Sequence, residues 1–100
     1  MTDRTAIVME AADNVATVLR DIAPRTEVVL SITGKKHIVR VLEKVNFGHK
    51  FAIRDIKRGE HIVKYGEPIG VATRDIASGQ HVHIHNLESE RGRGDKDLPR

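Results

Sequence analysis

The 100 residues predict one small domain that is mostly β, with a single short N-terminal helix and an internal pseudo-two-fold repeat. Three observations predict it. The apolar side chains are aliphatic and largely β-branched, with no Trp, one Tyr and two Phe, and such residues favour strands. From Phe47 onward the chain is punctuated by Gly48, Gly59, Gly66, Gly70 and Gly79 into pieces too short for a helix. Finally, AIRDIKRGEHIVKYG (52–66) recurs as ATRDIASGQHVHIHN (72–86) at a constant offset of 20.

Taken in order, RTAIVM (4–9) reads as a short strand. In EAADNVATVLRDI, Asp13 or Asn14 is a candidate cap, and Val15, Val18 and Leu19 recur at helical spacing. This predicts a helix of two to three turns, ended by Pro24. EVVLSI (27–32) reads as a strand, Thr33–Lys36 as a turn and HIVRVLEKV (37–45) as the returning strand of a hairpin. In the repeat, Ala52/Ala72, Arg54/Arg74, Asp55/Asp75, Ile56/Ile76, Gly59/Gly79 and His61/His81 are identical. Asp-Ile-x-x-Gly reads as a turn: Asp bonds nearby amides, Gly takes a positive φ, and Ile plugs the core from a loop. Arg54 and Arg74 then serve that structure rather than a substrate. The polar SERGRGDKDLPR reads as a disordered tail or linker, which sets the domain at 1–88 and the tail at 89–100.

Composition excludes several classes. A net charge of +3, interspersed and almost without aromatics, argues against nucleic-acid binding. Without cysteine there is no disulfide or thiolate chemistry. MTDRTAIVME carries charge where a secretory signal needs an apolar run, and no run reaches the roughly 20 residues that span a bilayer. The expected compartment is the cytoplasm, with no membrane partner.

Half of the six histidines fall in HVHIHN (81–86). On a strand, His81, His83 and His85 share a face at steps of about 6.5–7 Å. An H-x-H pair can then reach one metal ion, given further ligands from elsewhere. Because His81 aligns with His61, a turn role is open for it, and His83 with His85 is the sharper pair. The plain alternative is a solvated strand face that binds nothing. Asn86 either meets a substrate carboxylate or holds a turn. Tyr65 is either a substrate contact or a core aromatic with a satisfied hydroxyl, and Glu67 a ligand or a turn residue.

FGHK (47–50), RDIxxGE (54–60), KYGEPIG (64–70), the second RDIxxG (74–79) and HVHIHNLES (81–89) carry a resemblance over roughly residues 5–89. Together they resemble the SAF-type domain of the altronate and galactarate dehydratase family, also called the UxaA family. The resemblance implies a β-clip fold like that of type III antifreeze proteins. It implies a hydro-lyase that removes water from a sugar acid with a divalent metal, Fe(II) or Mn(II). The chain would be the small subunit of a two-component enzyme, inactive alone, completing the active site of a large catalytic subunit. His49 and Lys50 would assist catalysis, Lys64, Tyr65 and Asn86 would bind substrate, and His83 and His85 would bind metal. A related branch resembles the sulfolactate sulfo-lyase small subunit. Outside this class stand a free-standing β-clip module for a sugar acid or a metal, and a purely structural subunit. Strand exchange into a homo-oligomer is open.

Overall fold

A computed structural model describes residues 5–89. Nine strands account for its regular structure: β1 (Ala6–Ile7), β2 (Val15–Val18), β3 (Glu27–Ile32), β4 (Lys35–Arg40), β5 (Lys50–Ala52), β6 (His61–Lys64), β7 (Glu67–Ala72), β8 (His81–Val82) and β9 (Leu87–Ser89). They form a four-stranded sheet β1-β2-β5-β8, a hairpin β3-β4 and a three-stranded sheet β6-β7-β9. All the pairings are antiparallel. Beyond Ser89, the expected tail lies outside the described residues.

The central sheet is buried on both faces. Alternation along its strands sends Ala16, Val18 and Phe51 into one apolar cluster with Val28, Leu30 and Val41. It sends Val15, Ala52 and Val82 into a second cluster with Ile56, Ile62 and Ile76. β3 and β4 pair from Glu27↔Arg40 to Ile32↔Lys35 around Thr33-Gly34, as the sequence predicts, although the returning strand ends five residues earlier than expected. β6 and β7 turn through Tyr65 and Gly66, both at positive φ (54° and 77°), the backbone of a two-residue hairpin turn.

The expected N-terminal helix is absent: no helix occurs among the described residues. Val15–Val18 is a central strand instead. Asp13 and Asn14 do cap backbone groups, but not those of a helix: Asn14 binds distant ones, and Asp13 binds two preceding amides and one distant one. Asn14 donates Nδ2–H to the His61 carbonyl and accepts from Val63 N–H through Oδ1. Asp13 accepts from Met9, Glu10 and Gly66 N–H. Tertiary bonding of these buried side chains outweighs a weak local helix preference.

The repeat is real and deeper than the sequence suggested. Ile56 and Ile76 face each other as reciprocal backbone partners, N–H to carbonyl at 2.8 and 2.7 Å. Both side chains are buried. Asp55 accepts Ser78 N–H and Asp75 accepts Arg58 N–H, each at 2.9 Å. The same crossing recurs between Ile22 and Val45. Four turn arms therefore exist, starting at Arg20, Glu43, Arg54 and Arg74. Arg25, Gly48, Gly59 and Gly79 hold the equivalent positive-φ position, at 68°, 84°, 89° and 90°. In each arm that residue's N–H bonds a carbonyl of a neighbouring strand or its flank: Val41, Val18, Ala72 and Ala52. One reciprocal cap is missing from the set. Asp21 accepts Phe47 N–H, but the opposite arm pairs Lys44, which has no acceptor, with Pro24, which has no N–H.

Candidate functional site

The β5–β8 ladder pairs Phe51 with His81 and Lys50 with Val82. Extending that register by one step sets His49 opposite His83. His49, His81 and His83 thus share one face at the open end of two short strands. Their rings gather: centroids lie 4.5 Å apart for His49–His83, 5.1 Å for His49–His81 and 5.6 Å for His81–His83. One ring nitrogen from each lies within 4.8 Å of the other two. His49 Nδ1 and His81 Nε2 are 3.0 Å apart, so one of them donates N–H and the other accepts.

HVHIHN is not one strand. β8 stops at Val82, and His83–Asn86 closes as a turn, Asn86 N–H bonding the His83 carbonyl at 3.0 Å. Alternation therefore fails after Val82: Ile84, two residues on from the buried Val82, is 81% exposed. Asn86 holds the turn. It is wholly buried, accepts His83 N–H through Oδ1 and donates Nδ2–H to the His81 carbonyl. Both atoms of its amide are taken up inside the protein. His85 is exposed and leans on His81 at 5.3 Å between centroids. The structure thus assembles His83 with His49 and His81, while the expected pair of His83 and His85 is not the closest grouping.

The environment favours neutral imidazoles. Burial first, then the charges of His49, His85 and His83, lower the His81 pKa against an opposing pull from Glu43. Burial, His49, Lys50 and His85 lower that of His83. A neutral imidazole is the form that ligates a metal or accepts a proton. Glu43, which the sequence reading passed over, accepts His81 N–H at 3.1 Å. It stands at the arm position held by Arg in the other three copies, and that contrast was its one sequence signal.

Lys50 sits on the other face of β5, in register with Thr17 and Val82. Its pKa is lowered by burial and then by the nearby Lys64 charge. The Thr17 hydroxyl in that row is buried without a hydrogen-bond partner. Lys64 Nζ also lies 5.1 Å from the Tyr65 ring centre. Tyr65 is at the β6–β7 hairpin tip and 44% exposed, so it is not a core aromatic. Arg54 donates to the Ala12 carbonyl at 3.4 Å, a backbone contact of the expected kind. A depression of about 300 Å³ at the Ile56–Ile76 crossing is lined by Asp55, Lys57, Asp75 and Gln80, with no histidine.

The altronate/galactarate dehydratase SAF domain matches residues 4–90. Altronate dehydratase of Escherichia coli K12 is 48% identical over 83 residues, 83% of this chain and 16% of that protein. Altronate dehydratase of Bacillus subtilis 168 is 38% identical over 86 residues, again 16% of its length. (2R)-sulfolactate sulfo-lyase subunit alpha of Chromohalobacter salexigens is 41% identical over 51 residues, 51% of this chain and 54% of that subunit. The chain spans about a sixth of the length of the dehydratases it matches.

Proposed function

The chain belongs to the SAF domain family of altronate and galactarate dehydratases, and we propose that it is the small component of a lyase that eliminates water from a sugar acid such as altronate or galactarate. On this reading a larger catalytic body, a separate subunit or a continuation of the chain, performs turnover with this domain in place. The observation that carries the proposal is the convergence of His49, His81 and His83.

The residues fit a divalent metal of the Fe(II) or Mn(II) type. Two nitrogens about 2.1 Å from one ion and separated by 90–109° stand roughly 3.0–3.4 Å apart. The His49–His81 spacing of 3.0 Å is within that range once the proton between them is released, and the set of three nitrogens, within 4.8 Å of one another, would draw together around an ion. When bound, such an ion supplies Lewis acidity to a departing hydroxyl. The chain's own part is to present three imidazoles, with those of His81 and His83 shifted toward the neutral form. The Asn86 amide fixes His81 and His83, and the Glu43 carboxylate holds the His81 backbone. Lys50, on the other face of β5 but close enough for its charge to act on His83, and Lys64 near it offer positive charge for a substrate carboxylate. Lys50, with its lowered pKa, is also the lysine best suited to take up a proton.

The likeness to sulfolactate sulfo-lyase subunit alpha supports a second reading, elimination of sulfite from a sulfo acid. The test is the assembled enzyme assayed on altronate, galactarate and sulfolactate, with Co(II) binding followed by visible absorption. Co(II) bound in wild type and lost in His49→Ala and His83→Ala, with activity falling alongside, supports the proposal. Unchanged activity in both variants overturns it and leaves a structural subunit.

A further inference from the structure

The histidine cluster is edged by apolar side chains that the fold does not use. Ile84, 81% exposed, stands between His83 and His85; Phe47, 66% exposed, is two residues before His49. Leu42, half exposed, precedes Glu43, whose carboxylate holds the His81 backbone. Ile84 and Phe47 are the two most exposed of the large apolar side chains among the described residues. A single exposed apolar residue needs no explanation. Two of them, each within two residues of a histidine of one polar cluster, are the make-up of an interface core.

We propose that this face docks on the larger lyase body, with Phe47 and Ile84 as anchors, and that the opposing surface bears carboxylates. The inference rests on the function proposed above and names the contact through which it works. Three features choose this occupant. In the matched dehydratases, the homologous stretch is only 16% of the protein, so a much larger body accompanies it. The cluster supplies three donors at an open strand end, short of the four to six ligands a divalent ion takes. The surroundings are also one-sided in charge. The Lys50 charge acts on His83 and Lys64 lies near Lys50 in turn, whereas Glu43, the carboxylate at the cluster, is engaged with a backbone amide. Opposing carboxylates would answer both deficits. The other exposed apolar pair, Val29 and Ile38 across the β3–β4 hairpin, adjoins no such chemistry and serves as the comparison surface.

The test is a benzophenone amino acid placed at position 47 or 84, and at 29 or 38, in the full chain in its source cells, with the adducts sequenced by mass spectrometry. Adducts from 47 and 84 should join the lyase body, with little from 29 and 38. In the purified complex, the F47S/I84S pair should weaken association at least tenfold, and V29S/I38S should leave it unchanged. No adduct from 47 or 84, adducts only to a second copy of the chain, or equal adducts from 29 and 38 overturn the proposal. Co(II) titration of the same chain separates the two readings. Lost metal binding with intact adducts sinks the metal site alone; retained metal binding without adducts sinks the docking face alone.

Discussion

The two crossed turn pairs have the same backbone and different contents. At Ile56–Ile76 each arm carries the full set: an Asp capping the opposite arm, a Gly at the positive-φ position, and Glu60 or Gln80 closing its own turn onto Lys57 or Ala77 N–H. At Ile22–Val45 only the first arm has the capping Asp. The second arm, Glu43–His49, places Glu for Arg, Lys for Asp, exposed Phe47, and His49 where the others have Thr26, Glu60 or Gln80. The His49 ring lies against His81. The arm that departs furthest from the shared pattern is the arm that reaches the histidine cluster. The repeat supplies a frame, and the candidate chemistry sits where the frame's own polar side chains have been given up.

That contrast can be broken or sharpened, beginning where the largest effect is expected. Gly79 and Gly59 are equivalent in φ, but a Cβ on Gly79 would meet the Arg40 carbonyl oxygen at 2.0 Å, whereas one on Gly59 meets nothing within 4 Å. Gly79→Ala should cost about 3–5 kcal/mol by urea denaturation, combining clash and φ strain, against about 1–2 for Gly59→Ala. Equal costs would show that the arms do not occupy the different surroundings described. Next, His49→Ala and His83→Ala should lower kcat/KM of the assembled lyase about 100-fold, or about 2.7 kcal/mol. Their Tm should stay within a few degrees of wild type, whereas Asp55→Ala should lower Tm and spare activity. Asn86→Ala should then destabilise the chain by about 2 kcal/mol through two lost buried hydrogen bonds, and release Co(II) at the same time. An Asn86→Ala protein that binds Co(II) normally would separate the turn from the site.

The smallest effect is that of pH. His81 and His83 have lowered pKa values in the folded chain, so the unfolded chain binds more protons as pH falls below about 6.5. Stability is full above that value and declines as pH drops through the lowered ones. A Tm series from about pH 7.5 to 5 should slope downward, and less so in His49→Ala, since the His49 charge contributes to both shifts.

Much of the frame was legible because it is local. The Asp-Ile-x-x-Gly turns declare themselves within seven residues, and the β3–β4 hairpin within the fourteen from Glu27 to Arg40. The arm at Arg20 was readable too, since Arg20-Asp21-Ile22 repeats Arg54–Ile56, but the apparent helical spacing of Val15, Val18 and Leu19 concealed it. The arm at Glu43 shares only its glycine with the repeat, and no pattern search would find it. Asn14 misled because its partners are some 50 residues away, and Asp13 because it accepts from preceding amides and the distant Gly66 rather than from a following helical turn. The site was half legible for the same reason. HVHIHN pointed to His83, but its strand arithmetic ended at Val82, and His49 joins across a ladder 32 residues away.

Pro24 and Lys44 record a coupled change. A side chain with an amide at position 24 would face an ammonium-bearing arm, and an acceptor at position 44 would face a proline ring without a donor. Neither Pro24→Ser nor Lys44→Asp gains anything alone, whereas the two together would restore the fourth cap. The effects of substitutions at these two sites should therefore be non-additive. The asymmetry beside His49 thus takes two substitutions to undo, not one.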